Sequence, residues 1–295
     1  MSVKPLPLLG LFLLVLAASG ESTKGQCGAE ERTKSFLDTA VDFINKAKNA
    51  IPNCTFNPNS KCHMKPVDCE EILQCGNNRS GVYTIWPRNK IMSGSVEVYC
   101  DMSTDRGGWT VFQRRGNYGR PNDYFFKEWD DYKKGFGDIE KDFWLGNDLI
   151  FSLTNQRLYS MRVDLKDVEG NTRYALYDTF WIDMEDEQYK LHVKDYSGDA
   201  GDSLIGSHDG NNFTTKDRDN DKHEDNCANL FKGGWWYGAC HGSNLNGLYL
   251  RGKHESYADG VVWHAWKGHY ESMDTTEMKI RPKNFLKAHL PLKPQ

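Results

Sequence analysis

The chain has no C-x-x-C pair, no H-E-x-x-H, no G-x-S-x-G and no phosphate-cradling glycine loop. These absences argue against a zinc ribbon, a zinc protease, an α/β-hydrolase and a nucleotide-binding loop. No Gly-X-Y repeat occurs, so there is no collagen stalk. Past the first twenty residues no apolar run approaches the roughly 20 residues of a membrane span. Positive charge is not in excess either: 37 Lys and Arg stand against 41 Asp and Glu, a net charge of −4. Without a basic stripe, nucleic acid is excluded as the expected partner.

What is present points outward from the cell. Residues 1–20 read as a signal peptide, with Lys4 as the lone early charge, an apolar core from Leu8 to Ala18 and small residues Ala18-Ser19-Gly20 for cleavage. All eight cysteines (27, 54, 62, 69, 75, 100, 227 and 240) lie beyond it. An even count in an exported chain favours disulfides. Sequons at Asn53, Asn78 and Asn212 agree with extracellular life. The expectation is a secreted glycoprotein with no membrane span. The mean hydropathy is −0.70, yet apolar clusters recur and 13% of residues are aromatic, which fits a packed, loop-rich domain rather than a disordered chain.

The chain divides at residue 66. In 21–66, Phe36, Leu37, Ala40, Val41, Phe43, Ile44, Ala47 and Ile51 follow a helical period ended by Pro52. That helix either packs on the main domain or joins copies of the chain, and its stripe is too short for a sustained coiled coil. A linker with two cysteines and two prolines follows, from Asn53 to Pro66. Residues 67–285 read as one α+β domain, and 286–295 as a loose tail. VEVYCDM and GGWTVFQRR are strand signals, and LYSMRVDLKDVEGNTRYALYDTFWI alternates about a Glu169-Gly170-Asn171 turn, as a hairpin does. Tyr124 to Asn147 reads as short helices and turns, and few regular elements are visible beyond Tyr189.

The stretch KDRDNDKHEDNCANLFKGGWWYGACHGSNLNG, 216–247, concentrates the chemistry. Asp217, Asp219 and Asp221 alternate, as in loops that aim several oxygens at one hard cation. An EF-hand beginning at Asp217 needs Gly at 222 and Glu at 228, where the chain has Lys222 and Ala228. An irregular calcium loop remains, set against acids that are merely solvated. His223 alone is weak support for a transition metal. If bridged, Cys227 and Cys240 close a short ring about the Trp235-Trp236 pair, a constraint of about 3 kcal/mol in the chain-entropy model. The alternative is two unrelated core thiols. The acids at 183–187, DMEDE, suit a solvated turn better than paired catalytic carboxylates, and no enzyme is expected.

The segments DCEEIL, SGVYTIWP, VYCDMSTDRGGWTVFQRR, YSGDAGDSL, FTTKDRDNDKHEDNCA, GGWWYGACHGSNLNGLYLRG and EMKIRP together resemble a fibrinogen C-terminal domain from about Val67 to Phe285. Within that family the chain is most similar to ficolins and the tachylectin-5 group (techylectin-like and ixoderin-like proteins), secreted lectins for acetylated sugars on microbes. The resemblance implies a small N-terminal sheet region, a central twisted antiparallel sheet with short helices, and a loop-rich ligand region. It implies bridges Cys69–Cys100 and Cys227–Cys240, with Cys75 a competitor for Cys100 and Cys27, Cys54, Cys62 and Cys75 left for local or interchain bonds. It places Ca2+ on Asp219, Asp221, His223 and Asp225, through two carboxylates and two carbonyls. It places the acetyl group beside that ion. The donors there are the Cys240 amide and His241, positioned by a cis Ala239–Cys240 bond. The hollow is lined by Phe231, Tyr257, Ala258 and His269. Phe231 and His269 stand where the tachylectin-5 group has tyrosines.

The resulting expectation is a calcium-supported, homo-oligomeric lectin of innate immunity binding acetylated glycans of the GlcNAc and GalNAc type. The alternative is an extracellular ligand like angiopoietins or tenascins that binds a protein receptor.

Overall fold

The computed structural model describes residues 65–88, 94–283 and 285, together with 34, 37–42 and 44–46. The expected signal peptide (1–20), Asn53, Cys27, Cys54, Cys62 and the expected tail (286–295) lie outside the described residues. The chain forms two units, Met1–Ser60 and Lys61–Gln295. In the first, the described residues between 34 and 46 are helical, where the apolar period placed a helix, and Leu37, Val41 and Ile44 are exposed. Among the described residues no helix is long and apolar enough to cross a membrane.

The second unit opens with α1 (Cys69–Gln74), whose N-cap Asp68 accepts the amides of Glu70 and Glu71 at 3.1 and 3.2 Å. Such a cap satisfies amides that have no partner inside a helix. Cys69 is bridged to Cys100, which ties α1 to the second strand. Cys75 is also disulfide-bonded, to a partner outside the described residues, so it does not compete for Cys100.

The strands are β1 (Gly81–Ile85), β2 (Val96–Asp101), β3 (Trp109–Arg115), β4 (Phe136–Gly137), β5 (Phe143–Trp144), β6 (Tyr159–Lys166), β7 (Thr172–Ile182), β8 (Leu191–Gly198), β9 (Ser243–Asn244), β10 (Gly252–Lys253), β11 (Val262–Trp263), β12 (Glu271–Ser272) and β13 (Thr275–Pro282). Nine of them make one sheet whose main path is β1-β2-β3-β13-β6-β7-β8, with β5 added on β3 and β4 on β5. The fold is thus an antiparallel sheet with a few short helices. The β1–β2 pair at the N-terminal side is continuous with the central sheet through β3.

β6 alternates buried and half-buried residues without exception, the burial counterpart of its period-two sequence. Its turn into β7 is closed by Asp167, whose carboxylate accepts the amides of Glu169 (2.9 Å) and Asn171 (2.8 Å), with Gly170 at φ +91°. Two expectations need correction. Tyr124 to Asn147 does hold a helix, α2 (Trp129–Lys134), but also the short strands β4 and β5. The region beyond Tyr189 contributes β8 and, at the centre of the sheet, β13.

β13 is hard to read because its polar residues are buried. Lys279 lies in the sheet and pairs with Asp101 (2.7 Å), Asp164 (2.8 Å) and Glu277 (2.8 Å). Burial opposes the Asp101 charge, but the Lys279 ammonium outweighs it and holds the carboxyl well below its usual range.

The core is aromatic. Trp144, Phe213 and Trp236 pack with centroids 5.3–6.0 Å apart, joined by Tyr132. Trp235 and Trp236 are fully buried, so the tryptophan pair is core and not a gripping surface. Gly234 lets this chain segment pass Tyr132: a Cβ there would lie 2.4 Å from the tyrosine ring. In exchange, the Gly234 amide donates to the Tyr132 hydroxyl at 3.0 Å. Buried Arg115 on β3 donates to the carbonyls of Leu245 and Gly247, both at 2.9 Å. The central sheet thereby fixes the turn that leads away from Cys240.

Candidate functional site

The acidic loop is organised by its own amides. Asp221 accepts the His223 amide at 2.9 Å on one carboxylate oxygen and the Cys227 amide at 2.8 Å on the other. Asp219 accepts the Asp221 amide at 3.2 Å. Asp217 faces away, accepting from the Trp129 amide at 2.9 Å and the Thr215 hydroxyl at 2.7 Å, so it anchors the loop to α2. The Asp221 carboxyl is pushed up by burial and by the neighbouring Asp219 charge. Two adjacent carboxylates with unused lone pairs form a hard-oxygen donor set that fits calcium.

Among the described residues no third ionisable side chain completes a metal-ligating group with these two. A cation held by these two would need its remaining oxygens from backbone carbonyls, such as those expected at His223 and Asp225. His223, Cys227 and Cys240 do bring ligating atoms within 4.8 Å of one another. Both sulfurs, however, are locked in the Cys227–Cys240 disulfide and are not thiolates.

That disulfide joins α3 (Cys227–Phe231) to the turn carrying Ala239, Cys240 and His241, and the Ala239–Cys240 peptide is cis. Beside it opens a cleft of about 590 Å³. Its lining includes Phe231, Cys240, His241, Tyr257, Ala258 and His269, so all six residues expected at the ligand meet there. His223 lines it as well and links it to the acidic loop.

The His241 ring is held in one orientation and one protonation state. Its Nε2 lies 3.0 Å from the Ala258 carbonyl, which can only accept, so the ring N–H is at Nε2. Burial, reinforced by His208 and His269, lowers its pKa to about 3. The ring is therefore neutral and its N–H is already used. The donor expected at His241 must be its backbone amide. Among the described residues neither that amide nor the Cys240 amide has a hydrogen-bond acceptor within the chain.

Ala258 adopts φ +62°, buried between its amide bond to the His269 carbonyl (3.1 Å) and its carbonyl bond from His241. The aromatic wall is continuous. Phe231 stands edge-on to His241 at 4.5 Å, and His269 contacts Tyr257 at 5.1 Å. His264 stacks on His269 at 4.3 Å. The His269 pKa is lowered by burial and by His264.

Several site residues had no sequence signal. Asp209, Asn211 and Lys222 form a polar wall, with the Lys222 ammonium 2.6 Å from the Asn211 side-chain oxygen. His208 is fully buried beneath the turn. Its Nδ1–H donates to the Trp236 carbonyl (2.8 Å), and its Nε2 accepts the amides of Gly242 and Ser243, both at 3.1 Å. Of the sequons, Asn78 is exposed, whereas Asn212 is half-buried with its amide nitrogen 2.5 Å from the Gln188 side-chain oxygen.

Residues 65–283 match the family model for the C-terminal globular domain of fibrinogen beta and gamma chains. The chain belongs to the fibrinogen C-terminal domain family. This member is 62% identical to Techylectin-5A of Tachypleus tridentatus over 220 residues, 75% of each chain. It is 48% identical to a techylectin-like protein of Phoneutria nigriventer over 257 residues, 86% of this chain and 97% of that one. Its fold is similar to the solved fibrinogen-like globe domain of human ANGPTL2, with a TM-score of 0.70 and 43% identity over 74% of this chain and 99% of that chain. The fibrinogen-domain assignment thus rests on sequence and fold together.

Proposed function

We propose that this chain is a secreted, calcium-supported lectin that binds acetyl groups of GlcNAc- and GalNAc-type glycans on microbial or cell surfaces, as a pattern-recognition protein of innate immunity. It is a binding protein, not an enzyme. The observation that carries the reading is the pair of cleft amides without internal acceptors, at Cys240 and His241, beside an aromatic wall. An acetyl group needs a fixed donor for its oxygen and an apolar hollow for its methyl, and this cleft offers both. The likeness to two techylectins supports the same reading.

Calcium, held by the Asp219 and Asp221 carboxylates and the carbonyls of His223 and Asp225, would cancel the repulsion between the acids and stiffen the loop. The chain's own groups then do the binding. The amides orient the carbonyl, Phe231, Tyr257 and His269 shield it from water, and Ala258 closes the floor. Exposed Asn78 is the favoured glycan acceptor.

Elution from immobilised GlcNAc tests the pocket. GlcNAc, GalNAc and simple acetylated compounds should release the protein and glucose should not. Equal release by glucose and GlcNAc would overturn the assignment. A second reading, a ligand for a protein receptor, is favoured by the likeness to the ANGPTL2 globe. A glycan array with and without calcium separates the two, since a receptor ligand should leave the array blank.

A further inference from the structure

The aromatic wall does not stop at the cleft. Five rings stand in file: Phe231, His241, His269, Tyr257 and Tyr270, with successive centroids 4.5, 5.8, 5.1 and 5.5 Å apart. The inner end is packed against the disulfide-bonded turn. The outer end is open, with Tyr257 57% and Tyr270 53% exposed. A single exposed tyrosine needs no explanation. Two in contact, continuous with a polar cleft, form a platform.

The base of that platform is fixed. The Tyr270 carbonyl accepts the His254 amide at 3.1 Å, and the next residue, Glu271, pairs with Lys253 in the β10–β12 ladder. Only the ring projects. The cleft lining also includes the polar Asp209, Asn211 and Lys222, whereas Tyr257 and Tyr270 present apolar ring faces.

We propose that Tyr270, with the outer face of Tyr257, forms a second carbohydrate subsite that stacks the pyranose ring linked to the acetylated sugar in the cleft. This inference rests on the acetyl-glycan reading above and extends it from a group to an oligosaccharide. A pyranose offers a face of C–H groups, which the electron-rich face of a tyrosine attracts. Tyrosine also supplies contact area with only two side-chain torsions to immobilise. The platform carries no charge of its own, which selects a neutral sugar.

The test uses the full secreted protein with calcium and titration calorimetry. The ligands are GlcNAc and two singly acetylated disaccharides, galactose β-linked to GlcNAc O4 and GlcNAc β-linked to galactose O3. A single acetyl group removes any statistical gain from two. At least one disaccharide should bind about three- to tenfold more tightly than GlcNAc. Tyr270→Ala should remove that gain and leave GlcNAc affinity unchanged, while Tyr270→Phe should keep it. If the wild type binds GlcNAc but neither disaccharide more tightly, or if Tyr270→Ala keeps the gain, the subsite is refuted and the acetyl pocket stands. If no N-acetyl sugar binds the wild type, the acetyl reading fails and the subsite fails with it.

Discussion

His208 is fully buried and His241 half-buried, and for His208 the cost of burying a proton outweighs the nearby Asp202 charge that would favour it. His208 uses Nδ1–H on the Trp236 carbonyl and Nε2 on two amides, so a second proton would displace both amides. Burial lowers its pKa to about 4, and that of His241 to about 3. Both groups protonate first in the unfolded chain, from about pH 6.5 downward. Stability is therefore full above that pH and is lost as pH falls toward the folded values. For His208 alone the loss is on the order of 3 kcal/mol. The melting temperature should fall more steeply from pH 7 to pH 4.5 in the wild type than in His208→Gln, and parallel curves would refute the assignment. At this scale the sequence was partly legible. Phe231, Cys240, His241, Tyr257, Ala258 and His269 could be named together only because a motif-rich resemblance placed them. His208 could not, because a buried histidine serving two distant amides leaves no local pattern.

The acidic loop separates two roles that alternating aspartates cannot distinguish on paper. Asp221 accepts the amides of His223 and Cys227, one on each carboxylate oxygen. Asp219 accepts one amide within the loop, at 3.2 Å, so its larger role would be to ligate. Asp219→Ala should thus abolish glycan binding and lower the melting temperature in calcium, yet match the wild type in EDTA. Asp221→Ala should lose about 1–3 kcal/mol in EDTA as well, since two amides lose their acceptor. EDTA should remove wild-type binding and added calcium restore it. Melting and GlcNAc binding, each with and without calcium, check all three. A wild type indifferent to EDTA would show that calcium does not organise the loop. Among elements, the β6–β7 hairpin was readable because its partners are neighbours and one face is dry. β4, β5 and β8 were not, the first two being only two residues long and β8 lying in a stretch dominated by polar and turn-forming residues.

As a whole molecule, the proposed lectin would bind its ligand through the open cleft beside Cys240. A single site near millimolar, about −4 kcal/mol, is what few contacts allow. Joining sites raises avidity by roughly 10²–10⁴. Were chains to join, the exposed Leu37, Val41 and Ile44 of the N-terminal helix would offer an apolar stripe for it. The protein should sediment as an oligomer and bind a GlcNAc-coated surface far more tightly than free GlcNAc. A monomer in sedimentation would sink the multivalent reading. The global topology was the least legible level, because the placement of β13 depends on strands more than a hundred residues away. Lys279, Glu277 and Arg281 disguise it as a surface segment. That placement also sets a timetable. A ribosome delivers β1–β3 and then β6–β8 as two half-sheets, and the strand that lies between β3 and β6 comes last. Until Thr275–Pro282 emerges, the facing edges of β3 and β6 stay unpaired and open to any other strand. The newborn chain is therefore open to strand mispairing almost until synthesis ends.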